Sequence, residues 1–373
     1  MKEEMSPLCD SGIARSLQGM GAVKPSKKMG EQTIAFDTLP RVVGAYTIVG
    51  KIENEGPLSG SFHQVITDNL WGENSWEKAE AKMMGVAVEE AIKAAGWAKK
   101  DVDVFLAGDL LNQNITADYT ARKLGLPFLG LFGACSTMAE GLIIASILVD
   151  GHFAHRVVAS ASSHHETAER QFRFPTELGV QRPMSAQWTV TGVGAAAVAS
   201  PEVVSESDKK SRNRISITHA TIGKVIDLGV KDSADMGSAM APAVTHTILR
   251  HLQDLNRTMD DYDLIVSGDL GHVGHKVSQQ LLREEGLEPG ENYTDCGILI
   301  FDQNKQDTHA GGSGCGCSAT VLLGHLLKKM QEGVYRRILF VGSGALFSST
   351  SFQQGESIPG IGHAVVLESA YSS

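Results

Sequence analysis

Cys135 is the residue best placed to do chemistry in this chain. It follows an apolar segment and the small pair Gly133-Ala134, and Ser136-Thr137 then open a long apolar run. That order reads as strand, tight turn, helix. A thiol at a helix start faces unpaired N–H groups and the positive end of the helix dipole, and both favour thiolate. The small residues before it allow close backbone approach and offer oxyanion donors. Three readings follow: a nucleophile, a former nucleophile whose pocket now takes an anion, or a small residue buried under a turn. Spacing alone leaves them open.

The elements that must position Cys135 occur twice. Residues 101–110 read DVDVFLAGDL and residues 261–270 read DYDLIVSGDL. Each is an apolar run closed by Gly-Asp, as a buried strand ends in a loop. A helix is expected after each, ending at Gly125-Leu126 and Gly286-Leu287. Strands are then expected at Phe128–Phe132 and Ile298–Phe301. Next come Gly133-Ala134-Cys135-Ser136 in one copy and Gly314-Cys315-Gly316-Cys317-Ser318 in the other, each opening an apolar helix. Arg156-Val157-Val158-Ala159 matches Arg337-Ile338-Leu339-Phe340, and Gly192–Val198 matches Gly360–Val366. Alternating strands and helices predict an α/β protein, two pseudo-equivalent halves with mostly parallel sheets covered by helices. The predicted layout is a flexible extension (1–29), a first half (30–204), a polar linker (205–214, SESDKKSRNR) and a second half (215–373).

Composition narrows the function. The formal net charge of −10 argues against nucleic acid as a partner. The longest apolar stretch, Gly141–Val149, is too short to cross a bilayer. The first residues lack the apolar core of a signal peptide, and no lipidation motif or basic amphipathic helix is evident. Five cysteines, an odd and sparse number, predict free thiols in a reducing compartment. Cys315-Gly316-Cys317 has no partner ligands at zinc spacing, and Asp227, Asp232 and Asp235 lack the positions of a calcium loop. No metal site and no cofactor is expected.

Two fused α/β halves with a Gly-Ala-Cys-Ser turn in the first resemble the thiolase and ketoacyl synthase superfamily. The strings FLAGDLLNQN (105–114), LFGACST (131–137), ETAERQFRFPTE (166–177), VIDLG (225–229), DMGSAMAPA (235–243), AGGSGCGCSA (310–319) and ESIPGIGHAVV (356–366) are more closely similar to the stage V sporulation protein AD family. The likeness runs from about Met29 to Glu368. It implies a thiolase-like αβαβα fold and a twofold homodimer. It also implies a role in sporulation and germination: binding dipicolinic acid (pyridine-2,6-dicarboxylate), with or without calcium, for uptake into the forespore. The implied partners are membrane proteins of the same stage V operon. The implied place is the cytoplasmic face of the forespore or spore inner membrane, held through proteins.

The chain departs from a working thiolase. Such enzymes add a His, with an Asn, a second His or a second Cys, from the second half. Here the matching stretch reads Gly311-Gly312-Ser313-Gly314, and the terminal turn reads Ile358-Pro359-Gly360-Ile361-Gly362-His363. His309 and His363 remain as candidates for a rearranged acid–base set, and a degenerate enzyme that binds is the favoured reading. An active acyltransferase using Cys135, and a scaffold for membrane partners with a vestigial pocket, are the alternatives. Dipicolinate needs planar donors, cations and apolar faces. Arg170 and Arg173 suit carboxylate capture, or else pair with Glu166, Glu169 and Glu177 on a surface helix. Cys135-Ser136 could take one carboxylate at the helix start. His164 is expected in the pocket at a strand end, with His165 at the surface. Asp109 and Asp269 either bind the ligand or cap their turns, and Asn112 and Asn114 sit in the first of those loops.

Overall fold

The computed structural model describes residues 27–172, 182–204 and 214–369. Most of the predicted extension (1–29), nearly all of the predicted linker (205–214) and Arg173 lie outside the described residues.

Ten strands form one path. In chain order they are β1 (Arg41–Val49), β2 (Val104–Gly108), β3 (Phe128–Gly130), β4 (Arg156–Ser163), β5 (Gly192–Ala199), β6 (Ile215–Thr221), β7 (Leu264–Ser267), β8 (Tyr293–Asp295), β9 (Arg337–Ala345) and β10 (Gly360–Ser369). Their spatial order is β3-β2-β4-β5-β1-β6-β10-β9-β7-β8. Both five-strand sets have the same order and directions. β2 runs parallel to β3 and β4, as β7 does to β8 and β9, and the first and last strands of each half run antiparallel. Each half is therefore mixed rather than mostly parallel. The halves join where β1 meets β6, through Ile215↔Val42 and Ser216↔Arg41.

The second copy's third strand is not Ile298–Phe301. It is β8, and the apolar run after it is helical from Cys296 to Ile300. Asp295 decides this: its carboxylate accepts from Gly297 N–H at 2.9 Å and so caps a helix where composition alone reads strand.

Helices fill three layers. On the outer face of the first half lies α1 (Trp76–Ala94), capped by Ser75. Its Ala79, Met83, Ala87 and Ala91 follow helical spacing and are fully buried. α2 (Ile115–Leu124) packs beside it. The outer face of the second half carries α5 (Met236–Leu255) and α6 (Gly271–Glu284), the sequence between them and α2 including α3 (Thr137–Asp150) and α4 (His165–Phe172).

The middle layer holds α3 and a helix from Cys315 to Gln331. α3 is apolar on nearly every side because it touches β4 of its own half and β9 and β10 of the other. The second helix begins as α7 (Cys315–Thr320), passes through one π-helical stretch (Val321–Leu326) and ends as α8 (Leu327–Gln331). All six residues of α7 are buried, packed on β4 and β5. Close approach requires glycine: a Cβ at Gly342 on β9 would sit 2.6 Å from the Ala139 methyl on α3, and one at Gly194 on β5 would sit 2.8 Å from the Ala319 carbonyl.

Gly342→Ala is expected to push α3 off β9 and cost about 1–3 kcal/mol, read as a lowered urea midpoint. An unchanged midpoint would show that the layer has slack the packing does not reveal.

Candidate functional site

A cavity of about 280 Å³ opens at the C-terminal ends of the parallel strands. Leu110 follows β2. Phe132, Ala134 and Cys135 come from the turn before α3. Ala168, Glu169 and Phe172 come from one face of α4. Met236 begins α5, Ala345 ends β9, and Leu346, Phe347 and Ser348 follow it. Thr189 and Ser313 complete it, held by a two-strand ladder in which Trp188–Thr189 runs parallel to Gly312–Ser313. The walls are mostly apolar, and Phe172 and Phe347 meet edge to face at 5.6 Å. Glu169 is the one charged side chain among the described lining residues.

Cys135 sits at the floor, 6% exposed, in a short 3₁₀ turn that leads into α3. Ala134 takes a left-handed φ of 50° to aim it. Its neighbours come from the other half. The thiol lies beside the carboxylate of Asp269, which accepts from Ser343 Oγ at 2.6 Å, Gly314 N–H at 2.7 Å and Ser313 Oγ at 3.2 Å. Burial pushes the thiol well above its ordinary range, and the adjacent carboxylate raises it further. The expected thiolate is thus corrected: the helix start is present, but desolvation and a buried acid from the second half outweigh it. Asp269 is itself raised by burial, against the pull of its donors. Asp295 secures the loop beneath, accepting from Leu270 N–H at 2.8 Å and Gly271 N–H at 2.9 Å, and burial pushes it up to about 7.

Of the predicted residues, Cys135 and Asp269 come together. The others do not join them. Ser136 is buried and donates to the Gly133 carbonyl at 2.6 Å, closing its own turn. Asp109 caps the loop after β2, accepting from Leu111 and Ala117 N–H, each at 2.8 Å. Burial and nearby Glu80 push it up to about 7. Asn112 is exposed, its N–H donating to Gln171, and Asn114 helps close the same loop. His164 is fully buried and turned away, with Nε2 2.8 Å from the Asn69 carbonyl and Nδ1 3.1 Å from Glu166. Burial lowers its pKa, but Glu166 and Glu80 raise it more. His165 is not a plain surface residue: it stacks on Trp188, ring centres 3.8 Å apart.

Arg170 leaves the cavity for a different reason. On α4, positions 168, 169 and 172 share the cavity face, and position 170 falls off it. Arg170 pairs with Glu77 and lies over Trp76. His309 sits between the Pro183 carbonyl and Asp307, each at 2.9 Å. His363 accepts from Gly223 N–H at 3.1 Å, and burial pushes it down to about 4. Neither histidine lines the cavity. Neither histidine is therefore placed to act on Cys135, whose surroundings include Asp269, the Gly314 amide and Cys315.

Sequence reasoning missed Phe132, Phe172, Phe347, Glu169 and Ser348. The duplication held a usable signal, since Phe132 and Phe347 each follow a strand end beside the cavity. Helical phase within Glu166–Phe172 held another. The thiol is expected to alkylate with iodoacetamide at pH 8 at least about tenfold more slowly than free cysteine. Asp269→Asn removes the acid and is expected to speed that reaction, followed by mass spectrometry. Fast alkylation in the parent chain would overturn the protonated-thiol assignment.

Comparison with known proteins fits this geometry. Residues 30–368 match the family model described as Stage V sporulation protein AD. The curated Stage V sporulation protein AD of Bacillus subtilis (strain 168) is 48% identical over 344 residues, covering 92% of this chain and 98% of that protein. Among solved structures, an OleA variant from Xanthomonas campestris superposes with a TM-score of 0.60 at 14% identity, covering 93% of this chain and 99% of the other. 3-Oxoacyl-[acyl-carrier-protein] synthase III from Aquifex aeolicus gives 0.51 at 13%, covering 88% and 99%. Those two likenesses establish the thiolase-like fold, and the match along most of the sequence establishes the family: this chain belongs to the stage V sporulation protein AD family.

Proposed function

We propose that the cavity beside Cys135 binds dipicolinic acid, most favourably as its calcium chelate, and that the protein serves dipicolinate uptake into the forespore and spore germination alongside membrane proteins of the same operon. One observation carries this reading: an aromatic-walled slot has kept its cysteine beside a buried acid that is held by two hydroxyls, and no imidazole lines the slot among the described residues. Phe132, Phe172 and Phe347 give a planar ring apolar faces. A bare dianion would meet Glu169 unfavourably. Calcium carried in with the ligand reverses that, because carboxylate and hydroxyl oxygens are its preferred donors.

Condensation fits the site less well. A protonated thiol beside a buried carboxylate is a poor nucleophile, and no imidazole lines the cavity among the described residues. The acyltransferase reading rests on Cys135 lining the cavity at all. A twofold dimer is part of the proposal. The edge strand β3 offers Leu129, 51% exposed, and the turn after it Phe132, 56% exposed, for contact with a second copy. No helix among the described residues is long and apolar enough to cross a membrane, and the membrane association proposed here is through partners.

Calorimetric titration with dipicolinate is expected to show saturable binding that strengthens with calcium and is absent for isophthalate. Ala168→Trp fills the slot from α4 and is expected to abolish binding with the fold retained by circular dichroism. Glu169→Gln is expected to remove the calcium dependence. No binding under any condition sinks the proposal; acyl transfer from an acyl thioester to Cys135 in the same protein would establish the enzymatic reading instead.

A further inference from the structure

Four carboxyl groups and one imidazole gather around the start of α4. Glu53 comes from the helical turn Lys51–Asn54, Glu80 from α1, Asp109 from the loop after β2 and Glu166 from α4 itself. Glu53, Glu80, Asp109 and His164 are all buried, none more than 2% exposed. Glu53, Glu80 and Glu166 face His164, and Asp109 faces Glu80.

The contacts fix the form of His164. Its Nε2 lies 2.8 Å from the Asn69 carbonyl, which can only accept, so Nε2 carries a proton. Its Nδ1 lies 3.1 Å from the Glu166 carboxylate, and a second proton there makes an ion pair. One imidazolium balances one carboxylate. Burial acts to raise Glu166, but His164 and Asn69 pull it well below its ordinary range. Glu53, Glu80 and Asp109 are left to stay neutral by keeping their own protons. Burial pushes Glu53 up to about 7, and burial with Glu80 nearby does the same for Asp109. Burial also raises Glu80, against the pull of His164 and its hydroxyl donors. α7 adds the Cys315 thiol, which burial and these acids raise well above its ordinary range.

The same groups fasten α4. Glu80 accepts from Ser162 Oγ of β4 at 2.7 Å and from Thr167 Oγ1 of α4 at 3.1 Å. Glu53 accepts from Thr191 N–H at 2.9 Å, and Thr191 Oγ1 accepts from His165 N–H at 3.0 Å. Farther along the same helix, Ala168, Glu169 and Phe172 wall the Cys135 cavity. The Arg170–Glu77 pair joins α4 to α1 a second time, nearer the surface.

We infer that α4 is a cavity wall held shut by protons: the closed state keeps Glu53, Glu80, Asp109 and His164 protonated, and a rise in pH ionises the acids and lets α4 open. In an open, hydrated state the acids titrate near their ordinary values of about 4. The closed state therefore holds more protons from about pH 4 up to the raised values, and its advantage shrinks as pH climbs through that window. His164 acts in the same direction above about 6.5, while Glu166 acts oppositely but only below about 4.5. Release of a cavity ligand by such a rise rests on the dipicolinate proposal; the opening itself does not.

The test is hydrogen exchange of the full chain without ligand, read by mass spectrometry and corrected for intrinsic rates. The opening constant of segment 165–172 is expected to rise at least about tenfold from pH 5.5 to 8. Glu53→Gln combined with Glu80→Gln preserves shape, removes two titrating acids and is expected to hold the rise below about threefold. Arg170→Met cuts only the surface link and is expected to keep the full rise. A flat opening constant in the parent chain, a full rise in the Gln pair or its loss in Arg170→Met overturns the inference, whatever the dipicolinate titration shows.

Discussion

Two helices starting from matching turns lie between the two halves of one continuous sheet, and that contact governs the rest of the molecule. α3 touches strands of both halves, and α7 crosses onto the first. Such burial on every side demands an apolar sequence and bare backbone at the closest crossings, which Gly342 and Gly194 supply. It also brings the start of α3 against loops from the other half. Cys135 and Asp269 lie far apart in sequence and meet only because the middle layer is shared.

The electrostatics of that meeting set what the pocket can do. In a water-poor setting a thiol and a carboxylate compete to remain neutral, and hydroxyls and an amide hold the acid in place. This arrangement keeps a rigid floor at the cost of nucleophilicity. The same fold belongs to a 3-oxoacyl-[acyl-carrier-protein] synthase III and to an OleA variant. Shared architecture thus says little about chemistry, and the side chains facing the thiol say more.

The duplication was legible because each half repeats both its apolar runs and its punctuation. The third strand of the second half was not, since Ile298–Phe301 has a strand's composition and only the Asp295 cap reveals a helix. Cys135 could be placed at its turn from local residues, but its protonation depends on an acid from the other half. His164 was read as a pocket residue because strand ends usually face sites. Its partners Glu80, Asn69 and Glu166 come mostly from distant sequence and hold it inside. Arg170 was read by charge, whereas the helical phase of α4 decides which way it faces.

The π-helical stretch at Val321–Leu326 separates the fates of the two middle helices. A π turn holds one residue more than the α-helical path needs, so the chain can absorb a single insertion inside a buried helix without unwinding it. Residues before the stretch keep their alignment with the floor of the Cys135 cavity, while residues after it are rotated relative to that frame. Leu327 and Gln331 belong to the rotated part, and they wall a second cavity, beside β1. One helix therefore carries two surfaces whose registers are set independently, and change at one end need not disturb the other.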